Sequence, residues 1–352
     1  MNYTQEEVNL IVADSFRDLS YGQKRAFLAV EKGVAEKQKY EDALIKSCGE
    51  GVYNKLREKF YDGSYRDKIL SSLTKKKITC ITAKSADYPE NLNHVHNPPI
   101  VLYARGNVGL LKEKIFAVVG SRRSTAQTIE ECRSVSEKLS AHFVIATGVA
   151  DGADSAAAIG ALGSGRIICV LPCGHGYSTD TLRKVEDKGL SISEFPPDTR
   201  TQQFMFSMRN RILAGLSEGV LVVSAGSRGG GLSTAGFAAD YGKDVFAFPH
   251  SLGVTSGKGC NELIKSGAYL CDCVEDIFSV MGIKAEKSAG EKAELDGDEM
   301  AILSALKQEG EMHAEKLAAL TGKKTYELAA ICSSLEIKGL IIRIGGNKFA
   351  PI

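Results

Sequence analysis

The stretch that decides the fold is "IFAVVGSRRST", residues 115–125. Five consecutive apolar residues end at Gly120, and hydroxyl-bearing residues and two arginines follow at once. An uninterrupted apolar run is typical of a strand that is buried on both faces of a parallel sheet. A glycine-led polar turn that opens a helix is a common anion site. The stretch therefore predicts a buried strand ending in an anion-binding loop. The anion could be a nucleotide cofactor, a small substrate or the backbone of a nucleic acid.

The same pattern repeats from about residue 115 to about residue 275. Apolar strands alternate there with helix-like segments, and the strands read IFAVVG, FVIATG, RIICVLPCG, LSISEF, VLVVSAG and DVFAFPH. This alternation predicts an α/β fold with an extended Rossmann-like, doubly wound, mostly parallel sheet. Ligands of such sheets bind outside the carboxyl ends of the strands. The loops GSRRS, TGVADGAD, PCGHG and AGSRGGG are expected at that edge.

The sequence on either side of this region predicts a helical domain before it and a linker and a winged-helix domain after it. Residues 1–75 have apolar positions at helical spacing and are expected to form a small helical domain, and the Rossmann-like domain is expected to span residues 76–283. Residues 284–297 carry alternating charge and small side chains, which is typical of a linker. Residues 298–352 predict a winged-helix domain, with helices followed by two strands around a Gly345-Gly346 turn. The two functions of such domains, DNA binding and protein contact, both stay open for this one.

Composition limits the classes of function. The chain has 352 residues and a formal net charge of +1, so nucleic-acid or membrane binding would need a local cluster of charge. No apolar run approaches the roughly 18 residues of a membrane span, and we expect a cytoplasmic protein without a membrane partner. The nine cysteines lack the spacing of a zinc site, and reduced, mostly buried thiols are expected. We predict no metal and no cofactor.

Two segments carry cations where an anion could bind. The loop at Gly120, Ser121, Arg122 and Arg123 lacks the G-x-G-x-x-G spacing of a dinucleotide site, but the arginine forks suit phosphate oxygens. The segment from Phe206 to Arg211 places an aromatic ring beside cations, as proteins that hold single-stranded nucleic acid do.

The alternative for this second segment is structural. Its arginines, Arg209 and Arg211, would then pair with Glu218 or Asp198. The two arginines are two residues apart, so on a helix they point to different sides.

A third segment, Gly229-Gly230-Gly231, follows a strand and Arg228 and could cradle a phosphate. No P-loop and no nucleophile elbow is present. Asp151 and Asp154 stand three apart at a helix start, a spacing that favours capping and complementation of the helix dipole over paired acid–base catalysis.

Together the motifs resemble the DprA/Smf family of bacterial DNA-processing proteins. The matching stretches are "DYPENLNHVHNPPIVLYARGN", "FAVVGSRRST", "TGVADGADSAAAIGAL", "FSMRNRILAGLSEGVLVV" and "GCNELIKSGA". The order of parts also matches, with a sterile-alpha-motif-like front, a Rossmann-like centre and a winged-helix end.

The resemblance implies a non-enzymatic protein of natural transformation that binds single-stranded DNA. It implies a homodimer formed through the Rossmann-like domain, loading of the RecA recombinase onto the incoming strand, and single-strand-binding protein as a further partner. The DNA-binding positions that it implies are Gly120, Ser121, Arg122, Arg123, Phe206, Arg209, Asn210, Arg211, Gly230 and Lys243.

The chain departs from the family pattern at four places. Ser224 replaces a glutamate, Gly229-Gly230-Gly231 replaces Ser-Gly-Ser, His250 follows Phe-Pro where Pro-Gly is usual, and Ala158 replaces a common histidine.

Two other functions stay as alternatives. The loop "RGGGLSTAGF" loosely resembles that of phosphoribohydrolases of the lysine-decarboxylase-like family, but Phe237 stands where their glutamate would be. The second alternative is a regulator whose winged helix binds duplex DNA.

Overall fold

The computed structural model describes residues 3–16, 19–283, 295–338, 340–344 and 347–351. Within it the chain divides into two compact units, Met1–Val280 and Met281–Ile352. Most of the expected linker and the Gly345-Gly346 turn lie outside the described residues. No helix of the part described is long and apolar enough to cross a membrane.

Five short helices come first, as the helical spacing of residues 1–75 predicts. They are α1 (Gln5–Asp14), α2 (Tyr21–Glu31), α3 (Lys37–Cys48), α4 (Glu50–Tyr61) and α5 (Gly63–Lys75). Capping boxes at Thr4 and Ser20 satisfy the first backbone N–H groups of α1 and α2. Their core closes around Phe27, whose ring makes edge contacts with Phe16 and Phe60.

The front helices share this core with two strands of the central sheet. Ile78, Cys80, Ile100, Val101 and Tyr103 are buried in the same apolar cluster as the helices. The front helices and the sheet therefore belong to one compact unit, and the boundary after residue 75 stays a prediction.

The central sheet has nine strands in the order β1-β2-β6-β5-β4-β3-β7-β8-β9. The strands are β1 (Thr79–Thr82), β2 (Val101–Gly106), β3 (Ile115–Val119), β4 (Val144–Thr147), β5 (Ile167–Val170), β6 (Leu190–Ser193), β7 (Gly219–Val222), β8 (Asp244–Ala247) and β9 (Tyr269–Leu270). Neighbours from β6 to β9 are parallel, whereas β2 pairs antiparallel with β6 and β1 antiparallel with β2. The predicted mostly parallel Rossmann-like sheet is confirmed.

Helices cover both faces of this sheet. They are α6 (Ala126–Leu139), α7 (Ala153–Ala161), α8 (Asp180–Lys188), α9 (Gln203–Leu216), α10 (Gly230–Asp240), α11 (Lys258–Lys265) and α12 (Val274–Val280). Alternate residues of β3 divide between the faces. Ala117 lies in the core that contains α9 and α10, while Phe116 contacts the rings of Phe143 and Phe246 at centroid distances of 5.3 and 5.9 Å. Burial on both faces explains why these strands are apolar throughout.

The second unit is the predicted winged helix. Its helices are α13 (Gly297–Glu309), α14 (Ala314–Thr321) and α15 (Thr325–Ile337), and its strands are β10 (Met312–His313), β11 (Ile341–Ile344) and β12 (Lys348–Pro351). The strands form an antiparallel sheet in the order β10-β12-β11, one strand more than the sequence predicts.

Candidate nucleic-acid interface

The candidate site lies where the strand order of the sheet reverses. β3 is followed in the chain by β4 on one side, and on its other side it pairs with β7, which comes much later. Crossover connections leave such a point in opposite directions, so a crevice opens beyond the strand ends. A cavity of about 380 Å³ occupies this crevice, and we call it the switch-point cavity.

Eight of the ten expected DNA-binding residues line the switch-point cavity. They are Gly120, Ser121, Arg122, Arg123, Phe206, Arg209, Asn210 and Gly230. Lys243 instead lines a different cavity, together with His94 and Tyr241. Arg211 does not line the switch-point cavity either.

A serine that departs from the family pattern connects the loops after β3 and β7. Ser224 Oγ accepts a hydrogen bond from the Ser121 backbone N–H at 2.9 Å and lies 2.6 Å from Ser124 Oγ. The loop also requires glycine at position 120, because a Cβ there would lie 2.5 Å from Ala153 Cβ. These contacts hold the arginine-bearing loop against the strand ends.

Arg122 extends from this loop over an aromatic ring. Its guanidinium carbon lies 5.1 Å from the ring centroid of Phe206, within the range of a cation–π contact. Arg122 is exposed, and none of the ion pairs found in the described residues involves it. Its N–H groups are therefore available to an anion in the cavity.

Arg209 has a different role, because it is buried. Its Nε donates to Asn210 Oδ1 at 3.0 Å, its Nη1 donates to the Val170 carbonyl at 3.1 Å, and its Nη2 lies 3.9 Å from Asp154 Oδ2. Asn210 Nδ2 in turn donates to the Gly230 carbonyl at 3.2 Å. Arg209 and Asn210 thus fix the loops of the cavity, and direct DNA contact by either of them stays a prediction.

Asp154 also lines the switch-point cavity, although the sequence predicted only a role at the start of a helix for it. The expected side-chain cap is absent, since Gly152 is the N-cap of α7 and makes no side-chain cap hydrogen bond, but Asp154 does lie in the first turn, where a carboxylate complements the helix dipole. Asp154 Oδ1 instead accepts a hydrogen bond from the Gly120 N–H at 3.3 Å. Burial raises the pKa of this carboxyl group, and the nearby Arg209 opposes that shift. An acidic residue inside the apolar segment "ADSAAAIGA" was the signal that could have revealed it.

Arg211 lies on the other side of α9. It is buried and forms an ion pair with Glu194, which follows β6. Both arginines of the segment are therefore ion-paired, but with Asp154 and Glu194 rather than with Glu218 or Asp198. DNA binding by Arg211 stays a prediction.

The glycine loop supplies the start of a helix. Gly229 is the N-cap of α10, and no side-chain hydrogen bond caps the first turn of this helix. That turn also contains no acidic residue. Backbone N–H groups at such a helix start favour anions through direct hydrogen bonds and the helix dipole. Together with Arg122, this end of α10 gives the switch-point cavity two elements suited to an anion beside the half-buried ring of Phe206.

Comparisons with known proteins show which proteins this chain is similar to. The family model described as DNA recombination-mediator protein A matches residues 79–282, and the model of the DprA winged helix domain matches residues 286–347. The DNA processing protein DprA of Bacillus subtilis (strain 168) is 36% identical over 231 residues, which cover 63% of this chain and 76% of that protein.

Two solved structures are similar over most of their own length. The X-ray structure of DNA processing protein A from Streptococcus pneumoniae has a TM-score of 0.65 and 30% identity, and the match covers 79% of this chain and 98% of that one. The structure of DNA processing protein A from Helicobacter pylori, which describes a single-stranded DNA binding mode, has a TM-score of 0.54 and 25% identity, covering 58% and 95%.

Proposed function

Since the chain belongs to the DNA recombination-mediator protein A family, we propose that it binds single-stranded DNA in the switch-point cavity. The observation that carries the proposal is the position of Arg122 over Phe206, beside the uncapped start of α10. This arrangement offers a phosphate and a neighbouring base different surfaces within one cavity. The single-stranded DNA binding mode named for the Helicobacter pylori relative supports single-strand binding by this chain.

In this proposal the strand is bound without reading its sequence. A phosphate accepts hydrogen bonds from the N–H groups at the start of α10 and from the Arg122 fork. A base stacks on the outer face of the guanidinium, whose inner face rests on Phe206. Stacking and phosphate contacts are available to every nucleotide, so affinity would vary little with base composition at this cavity.

The wider role is also a proposal. We propose that the protein is not an enzyme and that, as a cytoplasmic homodimer, it loads the RecA recombinase onto single strands in recombination and natural transformation. Single-strand-binding protein would be displaced in that step. Membership of a family described as a DNA recombination mediator supports this role.

Neither alternative function is favoured by an observation. Phe237, at the position where a phosphoribohydrolase would have its glutamate, stacks on Tyr241 at a centroid distance of 6.2 Å. In the winged helix, Lys323 pairs with Asp298, and Lys338 lies 2.6 Å from Glu299. These two cations are engaged within the domain rather than presented to duplex DNA.

Fluorescence anisotropy with labelled oligonucleotides, single- and double-stranded, tests the proposal. We expect tight binding to the single strand that weakens with salt, with a slope of about 0.7 per phosphate contact. Absence of binding at low salt, or preference for one duplex sequence, would contradict it. The first result would favour a nucleotide enzyme, and the second would favour the winged helix as the binding surface.

A further inference from the structure

A further cavity lies between the front helices and the two antiparallel strands of the sheet. Its volume is about 450 Å³, within the range of roughly 300–1,000 Å³ that is usual for ligand pockets. One wall comes from α1, α2 and the turn after α2, and the other comes from residues that follow β1 or precede β2. We call it the front cavity.

Two tyrosines hold the second wall of the front cavity in place. The Tyr21 hydroxyl donates to the Pro98 carbonyl at 2.9 Å. The Tyr88 hydroxyl donates to the Pro99 carbonyl at 2.8 Å. Each proline ring also fixes its own backbone angle φ, which removes freedom from this segment. The wall is therefore formed before any ligand binds.

The apolar part of the lining is aliphatic. Leu10, Leu28 and Ile100 belong to the core of the front helices, and 6%, 8% and 8% of their surface stays accessible. Val34 is 38% exposed, and Ala83 is exposed as well. None of the described residues that line this cavity is aromatic, so a nucleobase would find no ring to stack on. The lining suits an aliphatic side chain instead.

The polar part of the lining is positively charged. Arg25, Lys32 and Lys84 line the front cavity, and all three are exposed. Lys32 pairs with Glu6, which does not belong to the lining. Arg25 and Lys84 take part in none of the ion pairs found in the described residues. Two cations at the cavity are therefore available to an anionic ligand.

The rest of the lining does not offset this charge. Arg25 Nη1 donates to the Tyr21 hydroxyl at 3.1 Å, and the remaining polar residue of the lining is Asn93. No acidic residue of the described chain lines the cavity. Cations beside aliphatic surface are complementary to carboxylates beside an apolar side chain, and clusters of cations are a recurrent means of recognising acidic motifs. An acidic peptide with a bulky aliphatic residue has this chemistry.

The front cavity lies at the same edge of the sheet as the switch-point cavity. Tyr103, near the start of β2, pairs with Ser193 at the carboxyl end of β6. Since β6 and β3 point in the same direction, the start of β2 lies at the edge where the loop after β3 also lies. Four strand spacings separate β2 from β3, which is about 19 Å. A peptide in the front cavity would therefore leave the switch-point cavity open.

We propose that the front cavity is a docking site for an acidic peptide segment of a partner protein. Carboxylates of the segment pair with Arg25 and Lys84, and one bulky aliphatic side chain packs on the aliphatic lining. This site goes beyond single-strand binding and does not depend on it, because the front cavity and the switch-point cavity share no lining residue.

A fluorescein-labelled peptide, Asp-Asp-Leu-Leu-Asp-Asp, tests the docking site by fluorescence anisotropy with the full chain. We expect it to bind the wild type at protein concentrations below about 200 µM. The peptide Asn-Asn-Leu-Leu-Asn-Asn lacks the charge, and Asp-Asp-Ala-Ala-Asp-Asp lacks the bulky side chains. Each should bind about fivefold more weakly or worse, since each loses one of the two contributions.

Substitutions of the two available cations test the charge contribution. Arg25→Ala and Lys84→Ala should each weaken peptide binding by about threefold, because an exposed ion pair contributes little, and the combined variant should weaken it by about tenfold. Lys46→Ala is the matched control, since Lys46 is an exposed lysine of α3 that does not line the front cavity. We expect it to bind the peptide as the wild type does.

Val34→Glu tests the site without removing a cation. It adds a carboxylate at an exposed position of the lining, so it should weaken binding of the acidic peptide by repulsion. Val34→Gln has nearly the same shape without the charge, and it should bind the peptide more tightly than Val34→Glu. Equal affinities of these two variants would contradict the proposal.

The remaining outcomes separate the docking site from the proposed function. Absence of binding to the wild type, equal binding of the three peptides, or unchanged affinity in the combined variant would overturn the docking site. Loss of peptide binding in Arg122→Ala alone would place the peptide in the switch-point cavity and overturn it too. If the combined variant weakens single-strand binding but not peptide binding, the front cavity serves DNA and the peptide assignment is wrong. Each of these results leaves single-strand binding by the wild type to be judged by its own titration.

Discussion

Arg122→Ala gives the sharpest test of the switch-point cavity, because binding and folding should respond differently. Loss of one phosphate contact should lower the salt slope of single-strand binding by about 0.7, so that a rise from about 50 to about 200 mM salt costs the wild type about 2.6-fold more affinity than the variant. A charge-assisted hydrogen bond is worth about 1.5–3 kcal/mol, and we expect an affinity loss of about 2 kcal/mol, or about 30-fold, at moderate salt.

Folding should be nearly unaffected by the same change. Arg122 is exposed, and its contact with the Phe206 ring at 5.1 Å is an interaction of about 0.5–1 kcal/mol. Urea unfolding should therefore give a free energy of unfolding within about 1 kcal/mol of the wild type. Fluorescence anisotropy at several salt concentrations measures the binding term on the same preparations.

Arg183→Ala provides the matched control. Arg183 is an exposed arginine that pairs with Asp180 on α8 and does not line the switch-point cavity, so its removal changes the net charge by the same amount. We expect this variant to keep the wild-type salt slope. An unchanged slope for folded Arg122→Ala, or an equal decrease for Arg183→Ala, would refute the assignment of Arg122 as a phosphate ligand.

Three further predictions concern the packing around the strand ends. Arg209→Ala should lower the free energy of unfolding in urea by about 3–5 kcal/mol, because it leaves the Asp154 carboxylate buried without its cation; a loss below about 1 kcal/mol would show that the pair is dispensable. Gly230→Ala should fold normally, since its Cβ would meet no atom within 4 Å, whereas Gly120→Ala should be strongly destabilised because its Cβ would meet close contacts. Circular dichroism melts measure the stability of both variants, and a lower melting temperature for Gly230→Ala than for Gly120→Ala would contradict this prediction. Burial lowers the pKa of His175 from 6.5 to about 4, so its neutral form stabilises the fold above pH 6.5 and this contribution is lost as the pH falls towards 4. Between pH 7.5 and pH 5, urea unfolding should show the wild type losing about 2 kcal/mol more stability than His175→Gln, and parallel pH profiles would show that this histidine is not held neutral.

The sequence carries the local part of this architecture and little of the long-range part. Apolar runs and glycine-led turns locate β3 and β7 and the loops after them, because burial on both faces and positive helix ends leave local signals. The ion pairs are not local. Arg209 and Asp154 are 55 residues apart, and only the packing of α9 against the sheet brings them together.

The role of Ser224 is a second example of a long-range contact that the sequence does not reveal. At the level of sequence it is only a departure from the family pattern. In the structure its hydroxyl connects the loops after β3 and β7, since it contacts both Ser121 and Ser124. Strand order decides that these loops are neighbours, and strand order depends on crossover connections that a single sequence does not reveal.

The core that the front helices share with β1 and β2 limits how the chain can be divided. A protein shortened to begin near residue 76 would expose the apolar faces of Ile78, Ile100 and Val101, and it would leave β1 as a bare sheet edge. An uncovered edge beside apolar surface is prone to pair with other copies of the chain. Tyr3, whose hydroxyl accepts a hydrogen bond from the Cys80 N–H at 2.8 Å, would be lost with the helices. The front helices and the sheet should therefore be kept together when the protein is truncated for expression or when segments are exchanged between relatives.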